Sequence, residues 1–154
     1  IEYVHDTVGF NYRLSNIQAA MGVAQMERLA EFIEKKKAIA GRYDSAFFEM
    51  DEITLLPTRP NTDPVYWLYT VLLNSETTIS ERKAVISKLN ENGIGARPLW
   101  HTLHDLPPYA DTQAYRIEHA PRLYERGISL PSSVGLTESD QDRCISILKE
   151  TIAS

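Results

Sequence analysis

The sequence predicts an α+β fold: a long N-terminal helical segment leading into a small antiparallel sheet covered by helices. Three observations predict it. Apolar residues recur at helical spacing through the first third of the chain, and short runs rich in β-branched and aromatic residues follow, alternating with further helical patterns. Proline, glycine and capping residues mark the joins. A strand–helix–strand order with short connections is satisfied by a small sheet carrying its helices on one face. Composition supports this reading and narrows it. The 154 residues are 43% hydrophobic and 24% charged, enough for one core without staples. A net charge of −5 argues against a nucleic-acid partner, which needs a basic face. The apolar run Val65 to Leu73 is far short of the roughly 20 residues that a membrane helix requires. Cys144 is the single cysteine, so no internal disulfide forms. A soluble, cytoplasmic chain is expected, with no membrane partner.

The first helix starts at Ser15, where Ser15 and Gln18 fit a capping box. Ala19, Val23, Met26, Ala30 and Ile33 form one apolar stripe, and Ile17, Met21 and Ala24 a second. Such a helix start is apolar almost all round and is expected to be buried between two layers. Helical character continues through Leu29, Phe32, Ile39, Tyr43 and Phe47, with Gly41 as the weak point. Lys35, Lys36 and Lys37 sit among glutamates and read as a solvated helix face. Pro57, Pro60 and Pro64 then enforce a loop.

Val65 to Leu73 reads as a central strand and Ser80 to Asn92 as a helix, which Gly93 ends at a left-handed position. Ile94 to Leu99 reads as a second strand. After a loop at Pro107 and Pro108 come a short helix around Pro121 to Arg126 and a third strand, Gly127 to Leu130. Thr137 caps the last helix, whose buried stripe is Cys144, Ile145, Leu148 and Ile152. Cys144 is thus a core residue, with no neighbouring acid, base or second thiol in the sequence to activate it.

Two clusters could carry chemistry. Gly9-Phe10-Asn11-Tyr12-Arg13 runs directly into the capped helix, and a loop feeding a helix N-terminus is a natural anion site. Asn11 offers amide donors and Arg13 a bidentate grip on phosphate; on spacing alone, a turn asparagine and a surface arginine account for the pattern better. Arg97-Pro98-Leu99-Trp100-His101-Thr102-Leu103-His104-Asp105 follows a predicted strand and projects as a loop. An arginine, a tryptophan and two histidines suit a polar ligand with an apolar face, such as a sugar, about as well as they suit ordinary packing. His101 and His104 have an H-x-x-H spacing, but a zinc site needs further ligands, so no metal is expected. No glycine-rich phosphate loop and no nucleophile elbow is present.

These same residues carry a resemblance. The run Val8-Gly9-Phe10-Asn11-Tyr12-Arg13-Leu14-Ser15-Asn16-Ile17-Gln18-Ala19-Ala20-Met21-Gly22, continuing to Leu29, resembles the signature of the pyridoxal-phosphate-dependent sugar-nucleotide aminotransferases of the DegT/DnrJ/StrS group. Asn92 to His101 and Ile128 to Ser133, with Leu136-Thr137-Glu138 following, match the family in the same order. The resemblance implies the C-terminal part of a fold type I, aspartate-aminotransferase-like enzyme, with residues 1–50 as the signature loop and linking helices that face the large domain and the dimer partner, and residues 51–154 as the small domain. It implies pyridoxal 5'-phosphate as cofactor, glutamate and a sugar nucleotide as substrates, and a homodimer with shared active sites. It matches Asn11 to the asparagine that reaches the neighbouring subunit's cofactor phosphate, and Arg13 to an arginine of that shared site. Trp100 and His101 match the segment that approaches the sugar, and His104 is added by proximity. The family's Schiff-base lysine lies upstream of the signature. None of Lys35, Lys36, Lys37, Lys83, Lys88 and Lys149 matches its context, and all six read as exposed helix positions. The opening Ile1-Glu2-Tyr3-Val4-His5 reads as mid-chain, so the expectation is a fragment inactive by itself. A noncatalytic interaction module and a sugar-dehydratase relative are the alternatives.

Overall fold

The computed structural model describes residues 2–10 and 12–153. Helix α1 spans Asn16–Glu27 and opens on the expected capping box. The Gln18 amide donates to Ser15 Oγ at 3.4 Å, and Ser15 N–H donates to the Gln18 side chain at 2.8 Å. The helical segment breaks at Arg28 rather than at Gly41. There the backbone leaves helical geometry, and the Arg28 N–H closes on the carbonyls of Gln25 and Met26. Helix α2, Leu29–Phe47, then restarts, with Gly41 inside it. A second difference concerns burial. No described residue of α1 is buried, and Ile17, Met21, Val23 and Met26 are exposed. Helix α1 projects off the body, and none of the described residues buries it.

Strands β1 (Ile53–Leu55), β2 (Tyr69–Leu73), β3 (Arg97–Pro98) and β4 (Gly127–Leu130) pair antiparallel in the order β1-β2-β4-β3. Two strands are shorter than expected. Pro64, and Tyr66 with φ 48°, bend the backbone, so residues 65–68 miss the ladder and pairing begins at Tyr69. In the Ile94–Leu99 run, the Ala96 N–H turns back onto the Ile94 carbonyl at 2.7 Å, leaving Arg97 and Pro98 as a two-residue edge. Strand β1 was not foreseen, because three residues are too few to show a period. Helices α3 (Ile79–Glu91), α4 (Ala120–Arg126) and α5 (Glu138–Ile152) lie where the sequence places them, and Gly93 takes φ 74°. Two short 3-10 turns, Leu103–Asp105 and Pro107–Tyr109, fill the proline-marked loop.

The register assigns the faces. Tyr69 pairs with Leu130 and Val71 with Ile128, and these side chains join Leu73, Tyr43, Phe47, Leu89 and Leu148 in the core on one side. The Gln141 amide donates to the Ile39 carbonyl at 2.7 Å and the Tyr43 hydroxyl to the Pro131 carbonyl at 2.9 Å, so these two buried polar side chains are satisfied. The core therefore begins at Ile39, inside α2. The opposite face is not bare, as a one-sided arrangement would leave it. Gly127 stands there opposite Leu72, and a Cβ on it would collide with the Leu99 side chain and meet the Leu123 carbonyl at 2.9 Å. Residues 99–126 thus fold back over that face.

Candidate functional site

One rung of the sheet points away from the core. Thr70, Ser129 and Arg97 are Cα partners across β2, β4 and β3, and the hydroxyls of Thr70 and Ser129 lie 3.0 Å apart. Beside this rung Trp67, just before β2, stacks on Trp100, just after β3. Their ring centroids are 5.7 Å apart and their planes 16° from parallel. Tyr3, Trp67, Leu68, Arg97, Pro98, Trp100 and Ser129 line a cleft of about 160 Å³. That is small beside the few hundred Å³ of an ordinary ligand pocket, and both indoles remain largely exposed, so the cleft is one wall of a site. Chemically it offers an aromatic face, a guanidinium and a hydroxyl. That combination suits a ring with an apolar face joined to an anion.

The wall is braced from behind. The Lys36 ammonium donates to the Trp67 carbonyl at 2.8 Å and to Ser132 Oγ at 3.3 Å, and partial burial lowers its pKa from the ordinary lysine value. Lys37 pairs with Asp63 at 2.8 Å in the same loop, which raises its pKa, chiefly through the hydrogen bond from its ammonium to the Asp63 carboxylate. Lys36 and Lys37 are therefore half-buried tethers, whereas the sequence reading made them solvated positions. Lys35, bridged to Glu31 at 2.7 Å, keeps the solvated role.

The other sequence-predicted residues are dispersed. Of the Arg97–Asp105 cluster, Arg97 and Trp100 line the cleft and the two histidines do not. His101 turns inward, its ring tilted against Tyr124 at 4.9 Å and its Nδ1 3.3 Å from the Thr102 carbonyl. His104 Nε2 sits 3.3 Å from Asp105 Oδ2 in the first 3-10 turn. Arg13 is exposed in the arm before α1, and Asn11 lies outside the described residues. Trp67, Tyr3 and Ser129 were missed, because only the register and the bend at Tyr66 bring them together. The usable signal was that Trp67 is one of just two tryptophans.

Behind Trp100 a second network fixes the arm. Arg82, fully buried on α3, donates to the Tyr124 carbonyl and reaches Glu2 Oε1 at 3.3 Å, with its guanidinium 4.7 Å over the Tyr124 ring. The Tyr124 hydroxyl donates to the other Glu2 oxygen, and Lys83 lies 3.2 Å from Glu2. Burial alone would raise the Glu2 pKa; the Tyr124 hydroxyl, Lys83 and Arg82 outweigh it and hold the carboxylate below its usual value. The result is a chain of contacts from His101 through Tyr124 to the arm. Among the described residues, no group of three or more His, Cys, Asp or Glu side chains is placed to hold a metal ion, and no helix is long and apolar enough to cross a membrane.

Residues 1–149 match the DegT/DnrJ/EryC1/StrS aminotransferase family, and the chain belongs to it. It is 37% identical over 151 residues to the GDP-perosamine synthase of Caulobacter vibrioides, covering 97% of this chain and 40% of that protein. Among solved structures, DesV of S. venezuelae superposes with a TM-score of 0.78 at 28% identity, over 100% of this chain and 41% of its own. Helicobacter pylori PseC, an aminotransferase involved in pseudoaminic acid biosynthesis, superposes with a TM-score of 0.82 at 22% identity. That match covers 96% of this chain and 40% of PseC and shows the shared fold. The chain thus spans about two-fifths of the length of these relatives. The family's aminotransferases depend on pyridoxal phosphate and act on sugars.

Proposed function

We propose that this chain is the C-terminal small-domain part of an enzyme that moves an amino group from glutamate to a keto-sugar nucleotide in the cytoplasm, for polysaccharide, lipopolysaccharide or glycoconjugate assembly. Pyridoxal phosphate, when bound, supplies the electron sink for that chemistry. The described residues do not by themselves fit a complete site for it. Lys36 has its ammonium committed to the Trp67 carbonyl and Ser132, Lys37 is paired with Asp63, and Lys35, Lys83, Lys88 and Lys149 are exposed on helices. Among the described residues no lysine is the fully buried amine that a nucleophilic lysine would be. No step through the cofactor is therefore derived from these residues, and the part proposed for them is substrate positioning.

The observation that carries this reading is the stacked Trp67–Trp100 wall beside Arg97 and Ser129. The sugar ring lays its apolar face on an indole, the diphosphate meets Arg97, and the hydroxyls of Thr70 and Ser129 orient the ring from the sheet. In this reading Arg13 and Asn11 of the arm serve the phosphates at the shared site, while His101 and His104 brace the loop that presents Trp100. A second copy of the chain covers the apolar side of α1, which gives the homodimer. The GDP-perosamine synthase relative supports a nucleotide sugar as the acceptor class.

The test is a separation of half-reactions in the full-length protein. Trp100→Ala should slow the sugar-nucleotide half about 10- to 100-fold, the worth of one to two aromatic contacts, and leave the glutamate half within about twofold. Single-turnover absorbance follows each half. Equal loss in both halves, or none in either, removes the wall from the substrate site.

A further inference from the structure

We propose that Lys36 is the positioning residue of the aromatic wall, an internal clamp that holds the Trp67 ring parallel to Trp100. The tryptophan follows a residue with unfavourable backbone: Tyr66 takes φ 48°, in the left-handed region that a side chain bearing Cβ disfavours. Residues 65–68 have no place in the sheet ladder that would repay this. What repays it is Lys36, reaching from α2 to the Trp67 carbonyl at 2.8 Å and joining it to Ser132 at 3.3 Å, with Ser132 Oγ itself 3.5 Å from the same carbonyl. Three separate segments of the chain meet at that one carbonyl: α2, the residues before β2, and the residues after β4. A charge-assisted hydrogen bond of this kind favours the closed arrangement about tenfold or more over one without it. The ammonium acts through the backbone of Trp67.

The chain contains two tryptophans, so the stack can be read directly. Two coupled indoles give an exciton couplet in circular dichroism, and Trp67→Phe or Trp100→Phe should abolish it. Lys36→Met should remove most of the couplet and leave the helical signal unchanged. Lys36→Arg, which keeps a charged donor, should restore most of it, as the loss of an apolar packing partner would not predict. Ser132→Ala should weaken it less, since the shorter bond to Trp67 remains. A full couplet in Lys36→Met overturns the clamp; if that variant fails to fold, a couplet in Ser132→Ala identical to the parent chain does so. That the clamp serves catalysis rests on the proposed function. In the full-length enzyme Lys36→Met should then raise the KM for the sugar nucleotide about tenfold with kcat nearly unchanged. A lost couplet with an unchanged KM keeps the clamp and refutes the proposed substrate wall.

Discussion

The arm with α1 and the body built on the sheet both carry apolar residues at helical spacing, yet these end in opposite environments. Ile17, Met21, Val23 and Met26 stand exposed, whereas Tyr43, Phe47, Leu89 and Leu148 are completely buried. Both start from good local helix signals, and α1 has the fuller set of caps, lacking nothing that a capping box supplies. The difference is the number of surfaces available. The second half of α2 lies against β1 and α5, while Glu2 carries the hydrogen bonds and ion pairs described between the residues before α1 and the body. An apolar helix is thus evidence of a covering surface, and the sequence does not say whether that surface belongs to the same chain.

The largest effect that could break this comparison is a matched pair of truncations. Phe47→Ala in the body should cost about 3–5 kcal/mol in urea unfolding. Met21→Ala in α1 should cost within about 0.5 kcal/mol in the same chain, as an exposed position does. Similar losses at the two sites would mean that α1 packs on the body in solution.

A smaller effect tests the Glu2 tie between the regions. Glu2→Gln leaves the buried Arg82 without its carboxylate and should cost about 1–3 kcal/mol at neutral pH. The carboxylate's folded pKa lies below the ordinary 4.5. The fold therefore favours the ionised form, and its stabilisation is fully present above that value. It drains away as pH falls through the lowered folded pKa, because protonation then occurs in both states. Unfolding curves of the two proteins should converge in acid. A gap that persists there would mean that the amide change disturbs packing rather than charge.

The smallest effect separates local from global stability. Ser15→Ala removes one half of the capping box and should loosen α1 by about 1 kcal/mol. Amide exchange across Ile17–Glu27 should quicken about five-fold or more, while the melting temperature of the body stays fixed. A coupled drop in melting temperature would join α1 to the cooperative unit.

Much of the body was legible because its signals are local. Thr137 with Asp140, Gly93 at its left-handed position and the Cys144–Leu148 stripe each declare an element within a few residues. The errors fall where distant segments decide. Periodicity extends a strand through Val65–Leu68, and only the bend at Tyr66 together with the Lys36 tether removes it. The lysine run reads as solvated because a helical repeat cannot reveal that Trp67 and Asp63 lie within reach. Site residues follow the same division. Trp100 could be singled out from its own loop, but its partner Trp67 lies 33 positions earlier in the chain.

The sequence by itself determined the family, the α+β class, the helix caps at Ser15 and Thr137 and the loop that bears Trp100, because each rests on a motif or on spacing within one segment. Tertiary structure decided which apolar helix is buried, which lysines are tethers and which aromatic residues face each other. Those outcomes depend on strand register and on backbone bends that bring together segments some 30 to 120 residues apart, as in Lys36 with Trp67 and Glu2 with Tyr124. A one-residue shift in register would send Ser129 into the core and Ile128 into the cleft, and no single segment records which of the two is correct.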